Sequence, residues 1–155
     1  KNLATIFKLP KKIEYAIMAV KTLSDENSGN YLSAREISQR AGIPYQFTAK
    51  TLQQLMKLGL IKSQSGTNGG YSFNNILSNL TLLDFLELMG EHPAIIECTS
   101  QLKTPQIQID KKLNKINETS NYCVLHNNCS IQQPLIQIQK RLEELLKSIT
   151  LKDLM

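Results

Sequence analysis

The chain has 155 residues, 41% hydrophobic and 20% charged, with 18 Lys/Arg against 13 Asp/Glu and a net charge of +5. That suits one globular domain, or one domain with a dimerising extension. It excludes a helical membrane protein, because no run approaches the roughly 18 apolar residues that a span needs.

The charge is uneven. Residues 1–75 hold ten Lys/Arg and four Asp/Glu, a net +6, whereas residues 76–155 hold eight and nine, a net −1. A basic front half suits a polyanionic partner. The spacing of Ile13, Ala16, Ile17, Val20 and Leu23 predicts a helix over Leu9–Leu23, entered at Pro10. A polar, Gly-containing break follows at Asp25–Tyr31. Ser33 and Glu36 then have the spacing of a capping box and open a short helix to about Arg40. Ala41-Gly42-Ile43 is a tight turn, and Pro44 suits the first position of the next helix. Phe47, Leu52, Leu55, Met56 and Leu58 are its expected inner face, and Gly59 its stop.

Two short helices joined by a tight turn are a helix-turn-helix, whose second helix lies in the major groove. The alternative is an ordinary helical hairpin. The side chains expected to point outward from the second helix are Tyr45, Gln46, Thr48, Ala49, Lys50 and Gln53. Gln pairs bidentately with adenine, and Lys reaches guanine or phosphate. Arg35, Lys57 and Lys62 suit phosphates, which position a protein without carrying sequence information. Residues 60–63 and 71–73 read as two strands around a turn rich in Gly and Asn, the layout of a wing. Thr67, Asn68 and Gly69 form its expected DNA-facing tip, with Gly69 and Gly70 allowing close approach to a sugar-phosphate chain.

Thr81 to Asp84 is another capped start, followed by an apolar face of Leu82, Phe85, Leu86 and Met89 and a stop at Gly90. Thr99–Tyr122 is polar, with a helical turn or two expected within Asp110–Asn117. Leu135–Ile149 is the longest helix candidate, with a stripe of Leu135, Ile138, Leu142, Leu145, Leu146 and Ile149. One short domain offers too little surface to cover both this helix and the first, so a homodimer is expected. A two-fold protein also matches two half-sites on DNA.

Lys1–Pro10 has no signal-peptide pattern, and three cysteines argue against a disulfide framework, so a reducing, cytoplasmic location is expected. Cys98, Cys123 and Cys129 fall in or beside loops, and the last two sit among polar residues. Such thiols suit an iron–sulfur cluster or zinc more than core burial. Three cysteines leave a four-ligand site incomplete. His126 is the local candidate for the fourth ligand, and a carboxylate from the other subunit is the distant one. No nucleophile–base pair, phosphate loop or paired catalytic carboxylates appears, so an enzyme is not expected.

In order, the motifs are residues 9–16, 33–37, 43–55 and 59–61, then Gly69-Gly70-Tyr71, Leu82-Leu83-Asp84, the cysteines and residues 150–154. This combination resembles the Rrf2 family of bacterial winged-helix regulators over nearly the whole chain. The resemblance implies a mainly α fold: a winged helix-turn-helix over residues 9–75, then a cysteine loop and long dimerisation helix over 76–155, in one compact unit. It implies a dimeric repressor or activator that binds double-stranded DNA and is gated by a [2Fe–2S] or [4Fe–4S] cluster on Cys98, Cys123 and Cys129. Where some relatives place a fourth-ligand His, this chain has Gln132. In others an acidic residue on the partner's first helix serves, and the matching residue is Glu14, with His126 as the alternative. A zinc- or thiol-based regulator of the same fold, with no cluster, and a winged-helix protein-interaction module are the rival expectations.

Overall fold

The computed structural model describes residues 8–26, 30–95, 108–109, 116–117 and 128–155. Helix α1 (Lys11–Ser24) is capped by Pro10 and buries Ile13, Ala16, Ala19, Val20 and Leu23. Helix α2 (Ala34–Ala41) opens on the full capping box. The Ser33 hydroxyl accepts from the Glu36 amide at 3.2 Å, and the Ser33 amide donates to the Glu36 carboxylate at 2.8 Å. Helix α3 (Tyr45–Lys57) follows after three residues, with Pro44 one position earlier than the sequence suggests, as the cap.

Strands β1 (Ile61–Gln64) and β2 (Gly70–Phe73) pair antiparallel, with Ile61 opposite Phe73 and Gln64 opposite Gly70. Leu32, just ahead of α2, joins the ladder: its amide donates to the Tyr71 carbonyl at 2.9 Å, and the Tyr71 amide donates back at 2.8 Å. This bridge explains Gly70. A Cβ there would sit 2.4 Å from the Leu32 carbonyl oxygen, and a Cβ on Gly69 would sit 2.2 Å from that of Gln64. The protein's own backbone therefore requires both glycines, whatever else approaches them.

A 3-10 turn at Asn75–Asn79, which the sequence reading lacks, leads to helix α4 (Leu82–Leu88). Thr81 caps α4, and Phe85, Leu86 and Met89 enter the core beside Leu82 and Leu83. Strands β3 (Gln108–Ile109) and β4 (Ile116–Asn117) form a two-residue antiparallel pair. Ile116 and Asn117 are thus extended where a helical turn is expected; the rest of that expected turn lies outside the described residues. Helix α5 (Gln132–Ser148) is the longest among the described residues, and Gln139 is its buried residue. Ile138 is 50% and Leu145 57% exposed. The chain after α5 returns to the core: the Leu82 amide donates to the Ile149 carbonyl at 2.7 Å, the Leu151 amide to that of Leu80 at 3.0 Å, and Leu151 is buried.

One apolar cluster joins α1, α2, α3, β1, α4 and Leu151. Phe85 has no exposed surface, so Phe85→Ala is expected to lower unfolding free energy by about 3–5 kcal/mol in urea titration. Gly70→Ala is expected to cost roughly 1–3 kcal/mol in the same measurement, because the new methyl meets backbone that cannot retreat. Acid should also weaken the fold. The Ser33 hydroxyl and amide hold Glu36 below the usual carboxylate range, the Thr150 amide and hydroxyl do the same for Asp153, and Arg40 and Asn30 for Glu26. Depressed carboxylates stabilise the folded state above their unfolded pKa of about 4 and lose that contribution as pH falls through the folded value. The melting temperature should drop between about pH 5 and pH 3, and Glu36→Gln should flatten part of that drop.

Candidate nucleic-acid interface

The turn before α3 is locked from inside. The Ser38 hydroxyl donates to the Ile43 carbonyl at 2.7 Å, and the Ile43 amide donates to the Ser38 carbonyl at 3.1 Å. Ile43 itself is buried. The Thr48 hydroxyl lies 3.4 Å from the Ile43 carbonyl and 3.2 Å from that of Pro44. Thr48 is 0% exposed. The expectation that it points toward a duplex is therefore corrected. A threonine can satisfy its hydroxyl on its own helix's first turn and bury its methyl. Thr51, Leu52 and Leu55 complete the inner face.

Phe47 and Met56, expected inside, are exposed, Phe47 by 48%. Phe47 lies on the flank of α3 and meets Tyr15 of α1, ring centroids 5.8 Å apart at 41°. The opposite face carries Gln46, Lys50, Gln53 and Lys57, spaced four, three and four residues apart and all exposed. That spacing puts them on one stripe of an α-helix. Ala49, half-buried, lies beside it, and Tyr45 is exposed at the first turn. Arg35 is exposed on α2 and Lys62 on β1; Thr67 and Asn68 are exposed at the wing tip, and Gly69 is half-buried there.

The cations divide into two groups. Lys11 pairs with Glu14, Lys12 with Glu91, Lys21 with Asp25 and Arg40 with Glu26. Arg35, Lys50, Lys57 and Lys62 have no ion pair among the described residues. Cations left without carboxylate partners are available to phosphate.

The expected metal ligands are only partly described. Cys129 is a half-buried free thiol just ahead of α5. Glu14 is half-buried on α1 and bound to Lys11, which is thereby held above its usual pKa. Cys98, Cys123 and His126 lie outside the described residues. Gln132 is the first residue of α5.

A short helix pair with a locked turn, followed by a hairpin whose strands pack on α3 and α1, defines a winged helix-turn-helix, the architecture of DNA-binding transcriptional regulators. Comparison with known proteins agrees. The family profile Rrf2, described as an iron-dependent transcriptional regulator, matches residues 9–155, and the chain belongs to that family. Among curated relatives, the HTH-type transcriptional repressor NsrR of Streptomyces coelicolor is 21% identical over 148 residues, covering 95% of this chain and 87% of that protein. Among solved structures, CymR, the global cysteine regulator of B. subtilis, aligns with a TM-score of 0.63 at 20% identity, covering 96% of this chain and 95% of that one. IscR of T. potens aligns with a TM-score of 0.59 at 21% identity, covering 95% and 85%. The chain is a transcriptional regulator, not an enzyme.

Thr48→Val should separate structure from recognition. It removes the Thr48 hydroxyl bond while Ser38 still donates to the Ile43 carbonyl and the Phe47 and Thr48 amides to that of Pro44, so it is expected to lower stability by no more than about 1 kcal/mol in thermal melts. The base preference read by selection from a random duplex pool should stay unchanged.

Proposed function

We propose that this regulator acts as a homodimer that reads DNA sequence with the outer stripe of α3. One observation carries the reading: Gln46, Lys50, Gln53 and Lys57 share an exposed face whose lysines have no carboxylate partner among the described residues. Gln46 and Gln53 offer bidentate amides to adenine, and Lys50 a donor to guanine. Tyr45, at the first turn, adds contact at the groove edge. Arg35, Lys57, Lys62 and the tip residues Thr67, Asn68 and Gly69 hold the phosphate chain and set register.

A second copy supplies the other half-site. Ile131, Ile138 and Leu145 are exposed at intervals of seven residues, with half-buried Leu135 and Leu142 four residues after the first two. That is a heptad seam suited to an identical helix. Burying such side chains contributes roughly 1.5–3 kcal/mol each. Two recognition helices must then stand about 34 Å apart to enter successive major grooves.

The signal enters through the cysteines. Three thiols and a carboxylate are a donor set that a [2Fe–2S] or [4Fe–4S] cluster accepts, and the family's description as iron-dependent supports iron here. Cys98, Cys123 and Cys129 of one subunit and Glu14 of the other would hold it, and when bound it would supply an oxidation-sensitive iron centre. Glu14 fits the role because it sits on a half-buried surface with a single exposed lysine, Lys11, to leave. Since Glu14 lies on α1, which packs on α3, moving it shifts a recognition helix relative to its mate. A thiol- or zinc-based switch, with His126 as a ligand, is the second reading. The half-buried free thiol of Cys129 supports it.

Two experiments test the proposal. Binding of a selected duplex should weaken steeply with salt, and Lys57→Ala should reduce the slope of log K against log salt by about one. Gln46→Ala should relax preference at one base pair by about 1–3 kcal/mol. Salt-independent binding would leave only a protein-interaction module. Protein purified without air from iron-replete cells should be coloured and contain iron, and replacing all three cysteines by Ser should abolish both. Zinc in place of iron would establish the second reading.

A further inference from the structure

The segment leaving α4 is held at both ends by side chains from elements that do not touch it in sequence. Helix α4 closes with the Gly90 amide on the Glu87 carbonyl at 3.0 Å and the Glu91 amide on that of Leu86 at 2.8 Å. Gly90 takes φ +79° there, the left-handed turn this closure requires. The Met89 carbonyl then receives the Lys12 ammonium of α1 at 3.2 Å and the Gln54 amide of α3 at 3.4 Å. Lys12 also pairs with Glu91 at 2.6 Å. Four residues later the chain meets α5. The Gln139 side-chain amide donates to the Pro93 carbonyl at 2.8 Å, and its oxygen accepts from the Ile95 amide at 3.0 Å. It thus pairs with a peptide edge much as a neighbouring strand does. A third bond, to Glu143 at 3.0 Å, sets the rotamer from one turn along the helix. Gln139 is 8% exposed, a polar residue more deeply buried than the apolar residues of its own helix, which are half-buried or exposed.

We infer that Gln139 and Lys12 are positioning residues for DNA recognition, joining the long helix to the recognition helix through the strap at Met89–Ile95. This rests on the reading of α3 as the DNA-contacting helix. Neither residue lies on the exposed stripe. Gln139 fixes the strap to α5, and Lys12 with Gln54 fixes its other end to α1 and α3. A displacement of α5 therefore reaches the base-reading stripe through main-chain atoms and three side chains, Gln139, Lys12 and Gln54. Losing Gln139 cuts this path, and losing Lys12 leaves its other end only the longer Gln54 bond, so the two losses should not multiply.

The test is a double-mutant cycle in the full chain, with a duplex selected from a random pool by the unmodified protein. Gln139→Met keeps the volume and removes three hydrogen bonds; Lys12→Met removes the other anchor. Each is expected to weaken binding roughly three- to tenfold, and the double variant no more than the weaker single. Losses that multiply, or singles that bind like the parent, overturn the inference. Should a variant fail to melt cooperatively, hydrogen exchange of the Ile95 amide in the unmodified protein decides instead. Protection is expected to rise when the duplex binds, and unchanged protection overturns the strap. Selection that enriches no duplex would overturn the DNA reading beneath it, an outcome distinct from either.

Discussion

The structure depends on the seating of α3 against α1. Ala16 and Ala19 keep that side of α1 low, and Leu52 and Leu55 come in from α3 with Thr48 and Thr51 between the helices and the turn. Once those four residues face inward, helical geometry alone sends Gln46, Lys50, Gln53 and Lys57 outward. The inner and outer faces are one constraint, because rotating α3 to expose Thr48 would expel Leu52 or Leu55 from the core. The turn reinforces the seating: Ser38 and Thr48 share the Ile43 carbonyl, so the entry angle of α3 is fixed by hydrogen bonds as well as by packing.

Much of this arrangement was legible from residue order. Caps at Ser33 and Thr81, stops at Gly59 and Gly90 and the apolar spacing of α1 and α4 are local signals, and each element formed within a residue or two of its expected place. The failures share a physical origin. Hydrophobicity placed Phe47 inside and Thr48 outside, whereas the helix inserts the smaller side chain and lets the ring lean on Tyr15. A polar residue that bonds its own backbone costs little to bury, and nothing in its identity announces that it will. Gln139 was invisible for the same reason: its partners lie 44 and 46 positions away in the chain. Gly69 and Gly70 were legible as glycines but not in their cause, which is the crossing of Leu32 behind the wing.

Charge tells a similar story. The front-half excess pointed to a polyanion, but composition could not say which cations were free. Lys11, Lys12, Lys21 and Arg40 already have carboxylate partners, and of these pairs Lys12–Glu91 and Arg40–Glu26 link separate segments. Lys12 illustrates the difference, since one ammonium ties α1 to the end of α4 and to Glu91 just beyond it.

The Leu32 rung has one more consequence. By stitching the segment ahead of α2 to Tyr71, it fastens the base of the hairpin to the helical pair by two backbone hydrogen bonds. Residues 65–68, beyond the last paired rung, are then the place where length and composition can drift without tilting the body behind them. Divergence among regulators built this way should concentrate at that tip, so that new operators are acquired by re-sculpting a few terminal residues on an unchanged chassis.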